Sequence, residues 1–247
     1  MPVCLNCGAF ITDNFCPKCG QKKEVVRLSW RSLGVELIHF FTHLEKGFLY
    51  TSWRLAVRPD TVIWEYLKGK RKKYFKPVSL YLIWVAIHLL AYKFIIDWMH
   101  YENLRTGSFL LRGGETQTFI VKHSNFFGLL LMPILSIFMW LLVSRPRLNY
   151  IESLTVVIYA FAAIEMLIFL QIVITGLFFR TNFLTDHFLI QVQVVSYVWN
   201  LYAAFMLFRG EKIKFLIPRI LLALIIGILV NIKTTELIAE FILRMKR

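Results

Sequence analysis

Residues 153–179 read SLTVVIYAFAAIEMLIFLQIVITGLFF, and Glu165 is the single formal charge among them. A helix needs about 20 mainly apolar residues to cross the hydrocarbon of a bilayer, and this run exceeds that length. Four other stretches meet it, residues 78–97, 126–144, 187–208 and 215–232. The stretch 187–208 is the most polar of the five, with Gln191, Gln193 and Asn200. It carries no charge between Phe188 and Phe208, so it reads as a helix facing the interior of a bundle. A hydrophobic share of 57% and a mean hydropathy of +0.59 exclude a water-soluble domain with a charged surface. The expected fold class is an all-α polytopic membrane protein with about five transmembrane helices.

Outside the apolar runs the chain divides into a head at 1–23, an amphipathic and basic segment at 24–77, the bundle at 78–232 and an amphipathic tail at 233–247. The head holds all four cysteines, Cys4, Cys7, Cys16 and Cys19, spaced Cys-x2-Cys-x8-Cys-x2-Cys with Gly8 and Gly20 behind each pair. Two such knuckles present four thiolates to one tetrahedral ion, and the glycines let the backbone turn beneath the sulfurs. The reading is a small Cys4 zinc ribbon with a structural Zn2+: no open position is left for catalysis, and a segment this short needs a staple to fold. The alternative is a pair of disulfides, which a reducing cytoplasm disfavours.

Of the 29 Lys and Arg, 14 lie in residues 1–77 against six Asp and Glu, and Lys68, Lys70, Arg71, Lys72, Lys73 and Lys76 crowd just before the first span. This collar predicts contact with an anionic surface. Membrane lipid headgroups already lie within a Debye length of it, so lipid is favoured over nucleic acid. Nucleic acid would also need aromatic stacking along a basic groove, for which the head offers few residues. A protein partner could dock on the zinc ribbon. Tyr74 and Phe75 are expected as aromatic anchors in the membrane interface.

Arg145 and Arg147 in one connection, and Arg209, Lys212 and Lys214 in another, fall on the collar's side of a five-span bundle, which places the N-terminus in the cytoplasm. Five spans then leave the tail, with Arg244, Lys246 and Arg247, on the far side, against the charge rule. No cleavable apolar leader is seen, so the first span is expected to act as the insertion signal. Trp30 through Phe48 repeat apolar positions at helical spacing, which predicts an amphipathic helix over Arg27–Tyr50. Asp60 is expected to cap a short helix over 61–67 that Gly69 stops.

Within the spans, Glu165 sits near the midplane, where a carboxylate takes a partner inside the bundle or marks an ion path. Lys93 lies at a depth that permits a Lys93–Glu165 pair. Otherwise Lys93 reaches for the interface, and Glu165 is neutral or bonded to Gln171, Gln193 or Asn200. Glu36, His39 and His43 share a helix face, but a metal site of that kind requires a second such motif on a facing helix, so polar packing is favoured. No enzyme motif is present.

With its zinc-ribbon head and the collar Gly69-Lys70-Arg71-Lys72-Lys73-Tyr74-Phe75-Lys76-Pro77, preceded by Thr51, Leu55 and Pro59, the chain resembles an uncharacterised bacterial membrane family. Its layout, with Tyr150-Ile151-Glu152 through Tyr159 opening the third span and Trp199 inside the fourth, is more loosely similar to the Yip family of multi-span trafficking and scaffold proteins. Neither resemblance implies a catalytic residue. The expected function is that of a non-enzymatic bacterial inner-membrane scaffold or adaptor whose cytoplasmic zinc ribbon and basic collar dock a partner or anionic lipid. The alternative is a small-solute or ion transporter using Glu165 and Lys93.

Overall fold

The computed structural model describes residues 2–25, 27, 47–98, 116, 119–120, 123–175, 186–210 and 213–245. The expected helix over Arg27–Tyr50 falls largely outside them, as do Glu36, His39 and His43. Its last residues belong to a described helix, α1 (Phe48–Val57), with Gly47 at φ 118° as its N-cap.

Helix α2 (Pro59–Leu67) follows at once. Proline suits the first helical position because its missing N–H would have no intrahelical partner there. Pro59 therefore starts the helix, and Asp60 lies in the first turn instead of capping it. Gly69 ends α2 as expected. At φ 103° it lets the Lys70 N–H reach Glu65 O at 2.9 Å and its own N–H reach Tyr66 O at 3.1 Å, the paired bonds of a glycine-terminated helix.

Among the described residues five long helices follow, each apolar and long enough to cross a membrane: α3 (Pro77–Trp98), α4 (Ser124–Met139), α5 (Tyr150–Val173), α6 (Asp186–Phe208) and α7 (Leu216–Met245). A π-helical turn, Trp140–Ser144, extends α4. The chain is a multi-pass membrane protein. Half of the spanning part of α5 is buried within the chain against 17–33% for the other four, which makes α5 the central helix. It opens with a capping box, in which the Asn149 side chain accepts from the Glu152 N–H and the Glu152 carboxylate accepts from the Asn149 N–H, both at 2.8 Å.

The α1–α2 hairpin is built into one end of the bundle. Leu55, Val62, Ile63 and Tyr66 are buried, the Trp64 indole donates to Leu207 O at 2.8 Å, and Trp199 of α6 donates to Ala56 O at 3.2 Å. Ordered indole donors on backbone carbonyls fix orientation as well as burying area.

The tail 233–247 does not form a separate element as far as Met245. Helix α7 runs unbroken for 30 residues, because Asn231 through Met245 contain neither Gly nor Pro and a Lys233–Glu236 pair at 3.1 Å bridges one turn. At 1.5 Å per residue it is about 45 Å long, more than the ~30 Å of hydrocarbon.

Candidate metal centre and basic cavity

The two knuckles of the head are copies of one turn. Cys4 N–H reaches Ala9 O and Cys16 N–H reaches Gln21 O, both at 2.8 Å, and the Gly8 and Gly20 N–H groups return to Cys4 O and Cys16 O at 2.9 and 2.8 Å. Gly8 and Gly20 hold φ 76° and 70°, a conformation glycine adopts without steric cost. Isolated bridges Val3–Phe10 and Phe15–Lys22 close each turn.

The turns bring the four sulfurs within 4.8 Å of one another, with Cys4–Cys19 at 3.6 Å and Cys7–Cys16 at 3.5 Å. A tetrahedron with arms of about 2.3 Å has edges of about 3.8 Å, so the set fits one metal ion with four thiolates. A disulfide needs about 2.05 Å, and all four cysteines are free.

The head sits on the collar. A Cβ at Gly69 would stand 3.0 Å from Leu5 Cδ1 and 3.2 Å from Val25 Cγ1, and the Lys72 N–H points at Gln21 Oε1, 3.4 Å away. The collar divides into two parts. Glu65 of α2 accepts from Lys70 at 2.8 Å, Lys73 at 2.7 Å and the Tyr74 hydroxyl at 2.6 Å. Burial pushes the Glu65 carboxyl up, but these three donors outweigh it and bring it down to about 2. Lys68 and Lys72 are exposed, and Arg71 and Lys76 are half-buried.

Tyr74 and Phe75 are not interfacial anchors. They are 1% and 3% exposed, because Phe75 N–H donates to Thr51 Oγ1 at 2.9 Å, Phe75 O accepts from Tyr159 at 2.7 Å and Phe48 packs edge-on against the Phe75 ring.

Between head, collar and bundle lies a cavity of about 360 Å³, lined by Arg27, Lys68, Arg71, Arg147 and Glu152 together with Leu5 and Trp64. Arg27 grips Glu152 through two bonds of 2.7 and 2.6 Å, the bidentate geometry a guanidinium offers a carboxylate. That contact raises the Arg27 pKa further above its ordinary value. Among the described residues, four cations thus face one carboxylate.

Deeper in the bundle, Glu165 takes His88 of α3 as its partner, Nδ1 to Oε2 at 2.7 Å. Lys93 is exposed. It follows His88 by five residues, about 140° round the helix, so the Lys93–Glu165 pair does not form. Asn200 donates to Ser196 O at 3.0 Å and faces a second cavity, between α4, α5, α6 and α7, that Glu165 does not line.

Residues 45–89 match the family described as a protein of unknown function, DUF3667. The matched stretch holds α1, α2, the collar and the first half of α3, so the Gly69 stop, the Glu65 network and the buried Tyr74 and Phe75 all lie inside it. No curated protein and no solved structure matches the chain.

Proposed function

We propose that this chain is a non-enzymatic scaffold of the bacterial inner membrane with its N-terminus in the cytoplasm, whose zinc-held head and basic collar form one docking platform for anionic lipid headgroups. The observation that carries the reading is the seating of the head on Gly69 above a cavity whose described lining holds four cations and one carboxylate. The donor set supports zinc, since four thiolates in a closed tetrahedron favour that ion over harder metals. Cations beside a span meet the leaflet first, each contributing about 1 kcal/mol toward an acidic surface.

The division of the collar sharpens the proposal. Lys70 and Lys73 serve the fold through Glu65, while Lys68, Arg71 and Arg147 line the cavity in which a headgroup would sit. A protein partner has a separate place to dock, the exposed Phe10 and Phe15 of the head. The transporter alternative has less support, because Lys93 turns away from Glu165.

The test is native mass spectrometry of the full chain released from mixed phosphatidylglycerol and phosphatidylcholine. Preferential retention of phosphatidylglycerol that falls when Lys68 and Arg147 are both changed to Gln supports the platform. Equal retention of the two lipids, or retention indifferent to the substitutions, counts against it.

A further inference from the structure

The cavity between α4, α5, α6 and α7 has a volume of about 350 Å³, within the range of pockets that hold small ligands. Its walls are mainly Leu, Ile, Val, Ala and Phe. On them stands a polar stripe: Gln193, Ser196 and Asn200 at successive turns of α6, and Asn231 on α7. No Asp, Glu, Lys, Arg or His stands among the described residues lining it.

The stripe is registered in depth. Gln193 lies 15 residues before the end of α6 and Asn231 lies 15 residues after the start of α7. The two helices are consecutive and joined by a short connection, so both amides stand about 22 Å along the spans from that shared end. Ser196 Oγ donates to Val192 O at 2.7 Å, and Asn200 Nδ2 donates to Ser196 O, which leaves Asn200 Oδ1 to accept. Neither amide of Gln193 and Asn231 has a hydrogen-bond partner among the described residues. Primary amides at membrane depth are costly unless something bonds them. A lipid chain supplies no such bond.

We infer that this cavity is a binding site for a neutral amphipathic molecule, an uncharged oxygen-bearing head on a hydrocarbon chain, with the head held by Gln193 and Asn231. The uncharged lining selects against a charged headgroup, because a charge there would have no counter-ion. The concave shape, with Ile220 buried at its floor, suits a chain rather than the flat face of a second copy. Quinones, prenyl alcohols and diacylglycerols share this chemistry.

Full-length protein in phosphatidylcholine nanodiscs would be titrated separately with a decyl-chain benzoquinone, farnesol and dioctanoylglycerol, with dodecane as a control lacking a head. Bound mass is read by native mass spectrometry, and quenching of Trp199, which lines the cavity, is read for the quinone. Saturable retention of one or more headed probes at one per chain is expected, identifying the source among the three. Each of Gln193→Leu and Asn231→Leu is expected to weaken it roughly three- to thirtyfold. Both substitutions remove a polar group from hydrocarbon, so insertion persists, with size-exclusion profile as the control. Dodecane retained as tightly as the headed probes, a double variant that binds as the parent does, or no probe retained would overturn the site. Disulfide-linked dimers from Gln193→Cys would overturn it too, by making a second copy the occupant.

Discussion

Gly69 holds Leu5 against the collar: at φ 103° it has no Cβ, and a Cβ would stand 3.0 Å from Leu5 Cδ1 and 3.2 Å from Val25 Cγ1. The Leu5 contact is with the end of a flexible side chain and can give, so backbone conformation is the larger obstacle to any other residue. Gly69→Ala is expected to cost about 1–3 kcal/mol and to loosen the head, seen as faster amide exchange over residues 2–25 in detergent-solubilised protein. Exchange unchanged from the parent would separate head from collar.

Glu65 sets a pH window for the collar. Its carboxyl falls from an ordinary 4.5 to about 2 in the folded chain. A depressed carboxylate contributes stability that is fully present above the unfolded pKa and lost as pH falls through the folded one. Glu65→Gln is therefore expected to lower the melting temperature at pH 7. The gap to the parent should close between about pH 4.5 and 2. A gap that persists at the acid end would mean that Lys70, Lys73 and Tyr74 do not stabilise the ionised form.

The pair inside the membrane separates two residues that look alike in the sequence. Lys93→Gln should change stability by less than about 0.5 kcal/mol, as exposed positions do. His88→Ala, by contrast, leaves the buried Glu165 carboxyl without its 2.7 Å partner, at a cost of about 1–3 kcal/mol. Changing both His88 and Glu165 to Leu should be close to neutral if the pair is structural. Chemical unfolding in mixed micelles would compare the three variants, and a large effect of Lys93→Gln would contradict the assignment.

What was legible from the sequence, and what was not, follows from the range of each interaction. The five spans and the head depend on composition and spacing within one segment, so the run 153–179 and the four cysteines announce them. Gly69 as a helix stop is equally local. The partner of Glu165 is not, because depth alone leaves His88 and Lys93 both in reach and only the facing of α3 on α5 decides between them. Glu65 passes as an ordinary helix residue until the chain turns at Gly69 and returns Lys70, Lys73 and Tyr74 to it. Phe75 looks like an interfacial ring because its partners, Thr51 and Tyr159, are 24 and 84 residues away. The tail misled for a different reason: its charge density rises at Lys233, but nothing there breaks a helix.

The metal centre should behave as a closed structural site. Purified protein is expected to carry one zinc ion per chain by elemental analysis. Cys16→Ser should remove it and unfold the head while the spans still insert, because the bundle buries its own core separately from that of the head. Absence of metal, or loss of insertion in the variant, would refute this division.

The central claim, that a metal-held head and the collar act as one platform for anionic lipid, is tested most directly by measuring phosphatidylglycerol retention on the same preparation before and after zinc is stripped with a chelator. Retention should fall toward that of phosphatidylcholine and recover when zinc is restored. Retention of phosphatidylglycerol unaltered by removal of the metal would contradict the account.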